Sequence, residues 1–139
     1  MIKFSHTEIE EIISQLDFSK IEGKLIPVIA QDYQTNEVLM LAFANRQAIE
    51  MTIETGYAHY YSRSRQKMWK KGETSGHIQE IKVFITDCDS DSVLIKVKQT
   101  KGACHKGYYS CFHKILDNGK FKVKSNRIFE PKDVYEKSI

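Results

Sequence analysis

The segment that decides the fold runs from residue 78 to residue 100 and reads IQEIKVFITDCDSDSVLIKVKQT. Apolar and polar residues alternate over residues 78–86 and again over residues 92–100. A period of two is typical of half-buried antiparallel strands. The two runs therefore predict neighbouring strands, joined by the aspartate-rich run at residues 87–91.

Two more strands are predicted before this segment. Residues 24–31 and 37–44 are apolar and rich in β-branched side chains, and the polar stretch between them predicts a hairpin. Pro27 lacks a backbone N–H, so it favours an edge strand or an irregular start for the first of the two.

Two short helices are predicted from capping signals and helical spacing of apolar residues. Thr7-Glu8-Ile9-Glu10 has the spacing of a capping box and opens a helix over residues 7–16. Asn45 is a suitable N-cap for a second helix over residues 46–54, which Gly56 ends.

The remaining segments complete the predicted architecture. Residues 57–62 predict a strand, and the polar stretch that follows, up to His77, predicts a loop. Strands at 112–116 and 120–123 flank a hairpin turn, whereas the polar residues from about Ser125 predict no element. The predicted fold class is α+β, a mostly antiparallel β-sheet with two short helices.

Length and composition indicate one globular domain. The chain has 139 residues, enough for a single hydrophobic core, so residues 1–139 are expected to form one domain with its core at about residues 20–116. The net charge of +3 is small and basic residues are interspersed with acidic ones, which argues against nucleic-acid binding. No apolar run is long enough for a membrane span or a signal core, so a cytoplasmic protein is expected.

The three cysteines, Cys88, Cys104 and Cys111, are the first sign of function. In a reducing compartment, cysteines serve more often as metal ligands or catalysts than as disulfides. Three thiolates leave a tetrahedral zinc one ligand short, and a catalytic zinc keeps that position for water. Because Cys88 is remote in sequence, the site needs a tertiary contact or a second subunit. Three buried cysteines without metal are the alternative that the spacing leaves open.

The aspartates around Cys88 suggest a second cation. In an extended segment, Asp87, Asp89 and Asp91 point to one side and Cys88 to the other. Carboxylates select hard cations such as magnesium, whereas thiolates select zinc, so the two ligand sets do not compete for one ion. A solvated, aspartate-rich turn is the alternative.

Four linked motifs resemble phosphoribosyl-AMP cyclohydrolase in their order and spacing. They are Tyr61-Ser62-Arg63-Ser64-Arg65, Trp69-Lys70-Lys71-Gly72-Glu73-Thr74-Ser75-Gly76-His77, Asp87-Cys88-Asp89-Ser90-Asp91, and Cys104-His105 with Ser110-Cys111-Phe112. The likeness extends from about Leu25 to Phe112. One departure is Lys106, which stands where the family usually has threonine after the Cys-His pair, so a hydroxyl contact there is in doubt.

The resemblance implies a metal-dependent hydrolase of histidine biosynthesis. It opens the purine ring of 1-(5-phosphoribosyl)-AMP between N1 and C6 by means of zinc-activated water. It also implies a homodimer in which Cys88 of one subunit and Cys104 and Cys111 of the other bind Zn²⁺. Asp87, Asp89 and Asp91 are then the ligands of Mg²⁺.

The same motifs supply candidates for substrate binding and proton transfer. His105, His77 and Glu73 are the candidate proton-transfer groups, in that order of preference. Arginines suit the two phosphoryl groups of the substrate, hydroxyls and backbone amides suit a phosphate loop, and tryptophan suits stacking on the purine. The candidate substrate-binding residues are Ser62, Arg63, Arg65, Trp69, Lys71, Thr74, Ser75 and Gly76.

Two other functions compete with this interpretation. A zinc nucleobase deaminase also attacks a purine carbon, but it requires a Pro-Cys-x-x-Cys element that the sequence lacks. A noncatalytic, zinc-stabilised module that binds nucleotide or RNA is favoured by the basic residues around Trp69. Such a module requires a closed zinc site and no hydrolysis.

Overall fold

The computed structural model describes residues 2–135 and shows an α+β fold with three short helices and eight strands in that range. The elements are α1 (His6–Ser14), β1 (Ile26–Asp32), β2 (Val38–Ala44), α2 (Arg46–Thr55), β3 (His59–Ser62), β4 (Lys67–Lys70), β5 (Gln79–Thr86), β6 (Val93–Gln99), β7 (Lys114–Asp117), β8 (Lys120–Val123) and α3 (Pro131–Tyr135). None of the helices within this range has the length and apolar character needed to cross a membrane.

The main sheet has the strand order β2-β1-β6-β5. Its pairs are antiparallel except for β1 with β6, so the predicted α+β class with mostly antiparallel strands is confirmed. Of the two alternatives for Pro27, the edge strand is wrong, because β1 lies inside the sheet. Pairing of β1 with β6 begins only at Val28, so the missing N–H of Pro27 removes no bond from that ladder.

The core lies between one face of this sheet and helices α1 and α2. Side chains alternate along β1, where Ile26, Val28 and Ala30 are buried against the helices. Asn45 accepts the Ala48 N–H at 2.9 Å and Gly56 ends α2 with a φ of 78°, as predicted.

The predicted cap of α1 is wrong by two residues. Ser5, not Thr7, is the N-cap, and its side chain accepts the Glu8 N–H at 3.2 Å while the Glu8 carboxylate accepts the Ser5 N–H at 2.9 Å. Both Ser5 and Thr7 have a hydroxyl and a glutamate three positions later, so the spacing alone does not distinguish them. The structure shows the cap at Ser5, one turn before Ile9, the first buried residue of α1.

An apolar row crosses the opposite face of the main sheet, which neither helices nor strands cover within residues 2–135. Ile29 pairs with Leu41 on one side and with Leu94 on the other, and Leu94 pairs with Ile85. These four side chains form a row across all four strands. Ile29, Leu41 and Ile85 are exposed, and Leu94 is half-buried.

Two small hairpins extend this framework. The segment predicted as a loop before His77 contains β4, which pairs with β3. Its polar composition hid the strand, because Lys67 and Lys70 stand at its two ends. The β7–β8 hairpin is as predicted, with Asn118 and Gly119 at positive φ in its two-residue turn.

Helix α3 is the third helix, where the sequence predicted two. It lies in the tail that was assigned no element, and Pro131 and Asp133 in its first turn are ordinary helix-starting residues. Just before it, Ile128 donates its N–H to the Gly107 carbonyl at 2.8 Å, so the tail is tied to the loop that carries Cys104 and Cys111. Tertiary contact therefore orders a segment with little local signal.

Candidate functional site

An open cavity of about 900 Å³ lies beside the β3–β4 hairpin. Most of the predicted substrate-binding residues line it, together with two of the three candidate proton-transfer residues, His105 and Glu73. The lining residues from the predicted sets are Ser62, Arg63, Arg65, Trp69, Lys71, Glu73, Thr74, Ser75 and His105. Gly76 and His77 do not line it. Tyr135 of α3 also lines the cavity, although no sequence signal predicted it there.

The β3–β4 hairpin positions the basic and aromatic residues of the cavity. Trp69 pairs with Tyr60 across the hairpin, and their rings are tilted against each other with centroids 5.2 Å apart. The guanidinium of Arg63 lies 4.1 Å from the centroid of the Phe43 ring, in cation–π contact. The hairpin turn thus presents arginine side chains next to an aromatic wall.

The loop after β4 depends on a glycine. Gly72 has a φ of 85°, and a Cβ there would lie 2.6 Å from the His77 carbonyl carbon and from the Ile78 nitrogen. Only glycine fits so close to another backbone segment. The resulting tight loop, in which Gly76 donates its N–H to the Gly72 carbonyl at 2.8 Å, turns Glu73, Thr74 and Ser75 toward the cavity.

His77 is buried behind this loop instead. Its ring meets the ring of Phe129 edge-on with centroids 4.6 Å apart, and its Nδ1 atom has no hydrogen-bond partner within residues 2–135. Burial lowers the pKa of His77, and the Gly102 carbonyl partly offsets that effect. His105, which is exposed and lines the cavity, is better placed to exchange protons with a ligand there.

Cys104 and Cys111 come together in one loop. Ala103 donates its N–H to the Tyr109 carbonyl and Cys104 to the Tyr108 carbonyl, which folds the loop back on itself. Desolvation of its sulfur raises the pKa of the Cys111 thiol to about 11, and the neighbouring Cys104 sulfur adds to this effect. Both cysteines are free thiols, and their sulfurs lie close enough to hydrogen-bond each other.

The same loop is fastened to the β1–β2 hairpin. The Tyr109 hydroxyl donates to the carboxylate of Asp32, which also accepts the backbone N–H groups of Gln34 and Thr35. Ser110 donates its hydroxyl to the Val38 carbonyl at 2.6 Å. These anchors were not predicted, because nothing local in the sequence marks a pair as distant as Asp32 and Tyr109.

Cys88 and the three aspartates lie elsewhere, in the turn between β5 and β6. The segment does not have the extended conformation in which alternation would put the three carboxylates on one side: residues 87–92 form a turn, the alternative conformation, in which Ser90 has a φ of 61°. Asp87, Asp89 and Asp91 nevertheless place one carboxylate oxygen each within 4.8 Å of one another. Curling of the chain, not strand alternation, brings them together.

The three carboxylates of this turn are not equivalent. Asp87 accepts hydrogen bonds from the Asp91 N–H, the Ser92 N–H and the Ser92 hydroxyl, and the Ser92 hydroxyl is the main reason that its pKa is lowered to about 2. The pKa of Asp91 is raised, mainly through its contact with the Asp89 carboxylate. Crowding of negative charge is the condition that a bound cation relieves.

Cys88 is exposed, and its Sγ lies 4.0 Å from the neighbouring Asp89 carboxylate. Within residues 2–135, no cluster of three cysteine, histidine or carboxylate ligand atoms within 4.8 Å of one another includes its sulfur. The sequence left open whether a tertiary contact inside one chain joins Cys88 to Cys104 and Cys111. Within residues 2–135 it does not.

Comparison with known proteins gives consistent matches. The sequence model of the phosphoribosyl-AMP cyclohydrolase family matches residues 40–113. A protein of that name from Methanosarcina mazei is 56% identical over 122 residues, which cover 86% of this chain and 99% of the relative. Another from Methanothrix thermoacetophila is 55% identical over 116 residues, 84% of this chain and 93% of the relative. The histidine biosynthesis bifunctional protein HisIE of Thermoanaerobacter pseudethanolicus is 50% identical over 127 residues, 91% of this chain and 58% of that protein.

Proposed function

The chain belongs to the phosphoribosyl-AMP cyclohydrolase family, and we propose that it hydrolyses the N1–C6 bond of 1-(5-phosphoribosyl)-AMP in histidine biosynthesis through a metal-dependent reaction. One observation carries the proposal. The cavity that holds Arg63, Arg65 and Trp69 also holds His105, whose neighbour in the chain is the buried Cys104. Groups suited to a phosphorylated purine therefore adjoin groups suited to zinc.

Cys104 and Cys111, with Cys88 of the partner subunit, are the proposed zinc ligands. The donor set fits the ion, since the two loop sulfurs are adjacent, reduced and not paired as a disulfide. Zinc, when bound, supplies the Lewis acidity that activates water at neutral pH. The partner's Cys88 is needed because no third thiol joins the pair within residues 2–135.

The uncovered sheet face supports a homodimer. Contiguous apolar patches are rare on the surfaces of monomeric proteins, whereas Ile29, Leu41, Leu94 and Ile85 form an unbroken apolar row here. The β7–β8 hairpin adds three exposed apolar side chains, Leu116, Phe121 and Val123, on one side of a ribbon that packs chiefly on itself. A second copy of the chain would bury both surfaces.

The sheet topology is compatible with sharing a zinc site across this face. Cys111 donates its N–H to the Leu39 carbonyl at the start of edge strand β2, which lies beside the end of β1. Cys88 follows Thr86 at the end of β5, the other edge strand, level with the start of β1. The two therefore lie near opposite corners of the sheet. A two-fold axis parallel to the sheet and along its other diagonal places the Cys88 corner of each subunit over the Cys111 corner of the partner.

Asp87, Asp89 and Asp91 are the proposed magnesium ligands. Three oxygens within 4.8 Å of one another suit a hard cation. Asp89 has a freer carboxylate than its two neighbours, because that of Asp87 already accepts three hydrogen bonds and that of Asp91 lies 3.6 Å from the Lys20 ammonium. In the proposed dimer this turn would face the partner's cavity, where the cation can meet a substrate phosphate.

Substrate binding is proposed for the remaining cavity residues. Arg63 and Arg65 suit the phosphoryl groups, and the loop with Thr74 and Ser75 offers hydroxyls and backbone N–H groups. The ring of Trp69 is tilted against that of Tyr60 and has the Lys71 ammonium 5.8 Å from its centroid, and the residue also lines the cavity, where stacking on the purine is proposed. His105 is the proposed proton-transfer residue, ahead of Glu73 and the buried His77.

The function is tested by following ring opening of phosphoribosyl-AMP by absorbance, before and after removal of zinc with a chelator. We expect turnover that is lost with the metal and restored by added zinc. Tight binding of phosphoribosyl-AMP without turnover in the zinc-loaded protein would instead support a noncatalytic nucleotide-binding module. Turnover that persists after complete zinc removal would contradict the metal-dependent mechanism.

A further inference from the structure

Lys71 differs from the other basic residues of the cavity because its charged end is buried. Its backbone N–H is bonded to the Ala58 carbonyl at the end of the β3–β4 hairpin, and only 9% of the residue is exposed. The ammonium group donates to the Ala103 carbonyl at 2.5 Å. Ala103 directly precedes Cys104, so the ammonium group lies against the loop that carries the two cysteines.

A buried ammonium needs compensation that the hydrogen bond to Ala103 does not supply. The group has three N–H donors, and within residues 2–135 the Ala103 carbonyl is its one hydrogen-bond acceptor. No carboxylate in that range forms an ion pair with it. Burying an unpaired charge is costly, so a buried lysine without an acidic partner calls for another source of negative charge.

The sulfurs of Cys111 and Cys104 become that source when they bind zinc as thiolates. The Ala103 carbonyl that accepts from the ammonium group adjoins Cys104 in the chain, so the ammonium lies beside the cysteine loop. Burial lowers the pKa of Lys71, and the two cysteines, when ionised, raise it. Three thiolates on one divalent ion leave a single net negative charge in the site. One lysine beside them makes the assembly neutral.

We propose that Lys71 is a positioning residue of the zinc site, where its positive charge offsets the excess negative charge of the three thiolates, and that it does not bind a substrate phosphate. The inference rests on the proposed function, because it requires zinc at Cys104 and Cys111. Binding of zinc by three cysteines releases three protons for one divalent ion, so the site gains one negative charge. A fixed cation nearby favours that change.

The proposal is tested with Lys71→Met, which keeps the length of the side chain and removes the charge, and Lys71→Arg, which keeps the charge. Lys82→Met is the matched control, since its ammonium lies 3.4 Å from Glu80 on the protein surface. Zinc affinity is measured on the full chain by competition with a chromophoric chelator. We expect Lys71→Met to bind zinc about 30-fold more weakly, Lys71→Arg to fall closer to wild type, and Lys82→Met to match wild type.

Stability of the zinc-free protein separates this role from a purely structural one. We expect zinc-free Lys71→Met to be at least as stable to urea as zinc-free wild type, because the substitution removes a buried charge. Unchanged zinc affinity in Lys71→Met, or a raised KM with unchanged zinc affinity, would overturn the proposal. If wild type itself fails to bind zinc, the zinc site of the proposed function is wrong, and the proposed role of Lys71 is then wrong as well.

Discussion

Mixing two inactive variants tests whether the ligands of one zinc site come from two subunits. In the proposed dimer, Cys88→Ala lacks one ligand in both sites, and Cys104→Ala/Cys111→Ala lacks two in both. A mixed dimer has one complete site, because the double variant supplies Cys88 and the single variant supplies Cys104 and Cys111. With random exchange, half of the dimers are mixed, so about a quarter of the wild-type sites return.

Two affinity tags allow the mixed dimers to be purified after co-expression. Purified mixed dimers should hold about half of the wild-type zinc and show about half of the wild-type rate of ring opening. Zinc is measured by atomic absorption and ring opening by absorbance. The matched control is Cys104→Ala mixed with Cys111→Ala, in which each site still lacks one sulfur of the loop pair. Mixed dimers that form but recover neither zinc nor activity would refute ligand sharing, as would equal recovery in the control.

Three further predictions concern the acid–base group, the dimer face and the loop anchor. His105→Ala should lower kcat about 10²- to 10⁴-fold with unchanged zinc content, whereas unchanged turnover would exclude its role. Ile29→Glu should weaken dimerisation about 100-fold and release zinc, which light scattering and metal analysis at several protein concentrations would show. Tyr109→Phe should lower the free energy of unfolding at pH 7 by about 1.5 kcal/mol, measured with urea. Desolvation raises the pKa of Asp32, but its hydrogen bonds lower the pKa more, so the net shift is downward. A carboxylate whose pKa is lower in the folded state stabilises the fold at pH values above its unfolded pKa. The deficit of Tyr109→Phe should therefore shrink as the pH falls below about 4, and a deficit that does not depend on pH would contradict this account.

Elements with a strong local signal were predictable. The alternation in β5 and β6 and the Asn45 cap and Gly56 stop of α2 appear in the structure close to their predicted bounds. Strand β4 was missed because a short strand between lysines has the composition of a loop. Helix α3 was missed because contacts with the loop at Gly107 order the tail before it.

For the candidate site, the sequence identified residue types better than it identified their partners. Cavity-lining residues such as Arg63, Trp69 and His105 were found from motifs that match the family. The motifs did not predict the burial of His77 behind Phe129 or the anchor between Asp32 and Tyr109. Both contacts join residues far apart in the chain. Lys71 was predicted to bind substrate, and only its surroundings suggest the zinc site instead.

The sequence by itself determined the family, the fold class and the supply of ligands, three thiols and three carboxylates in a chain of one domain. Only the tertiary structure decided that Cys104 and Cys111 are adjacent while Cys88 stands apart in an exposed turn. The physical reason is that a sequence motif fixes side-chain chemistry and local backbone preference, whereas the distance between two sulfurs depends on how strands pair. In this sheet, pairing places the two edge strands on opposite sides of β1 and β6, and so separates Cys88, which follows β5, from Cys111, which is bonded to β2.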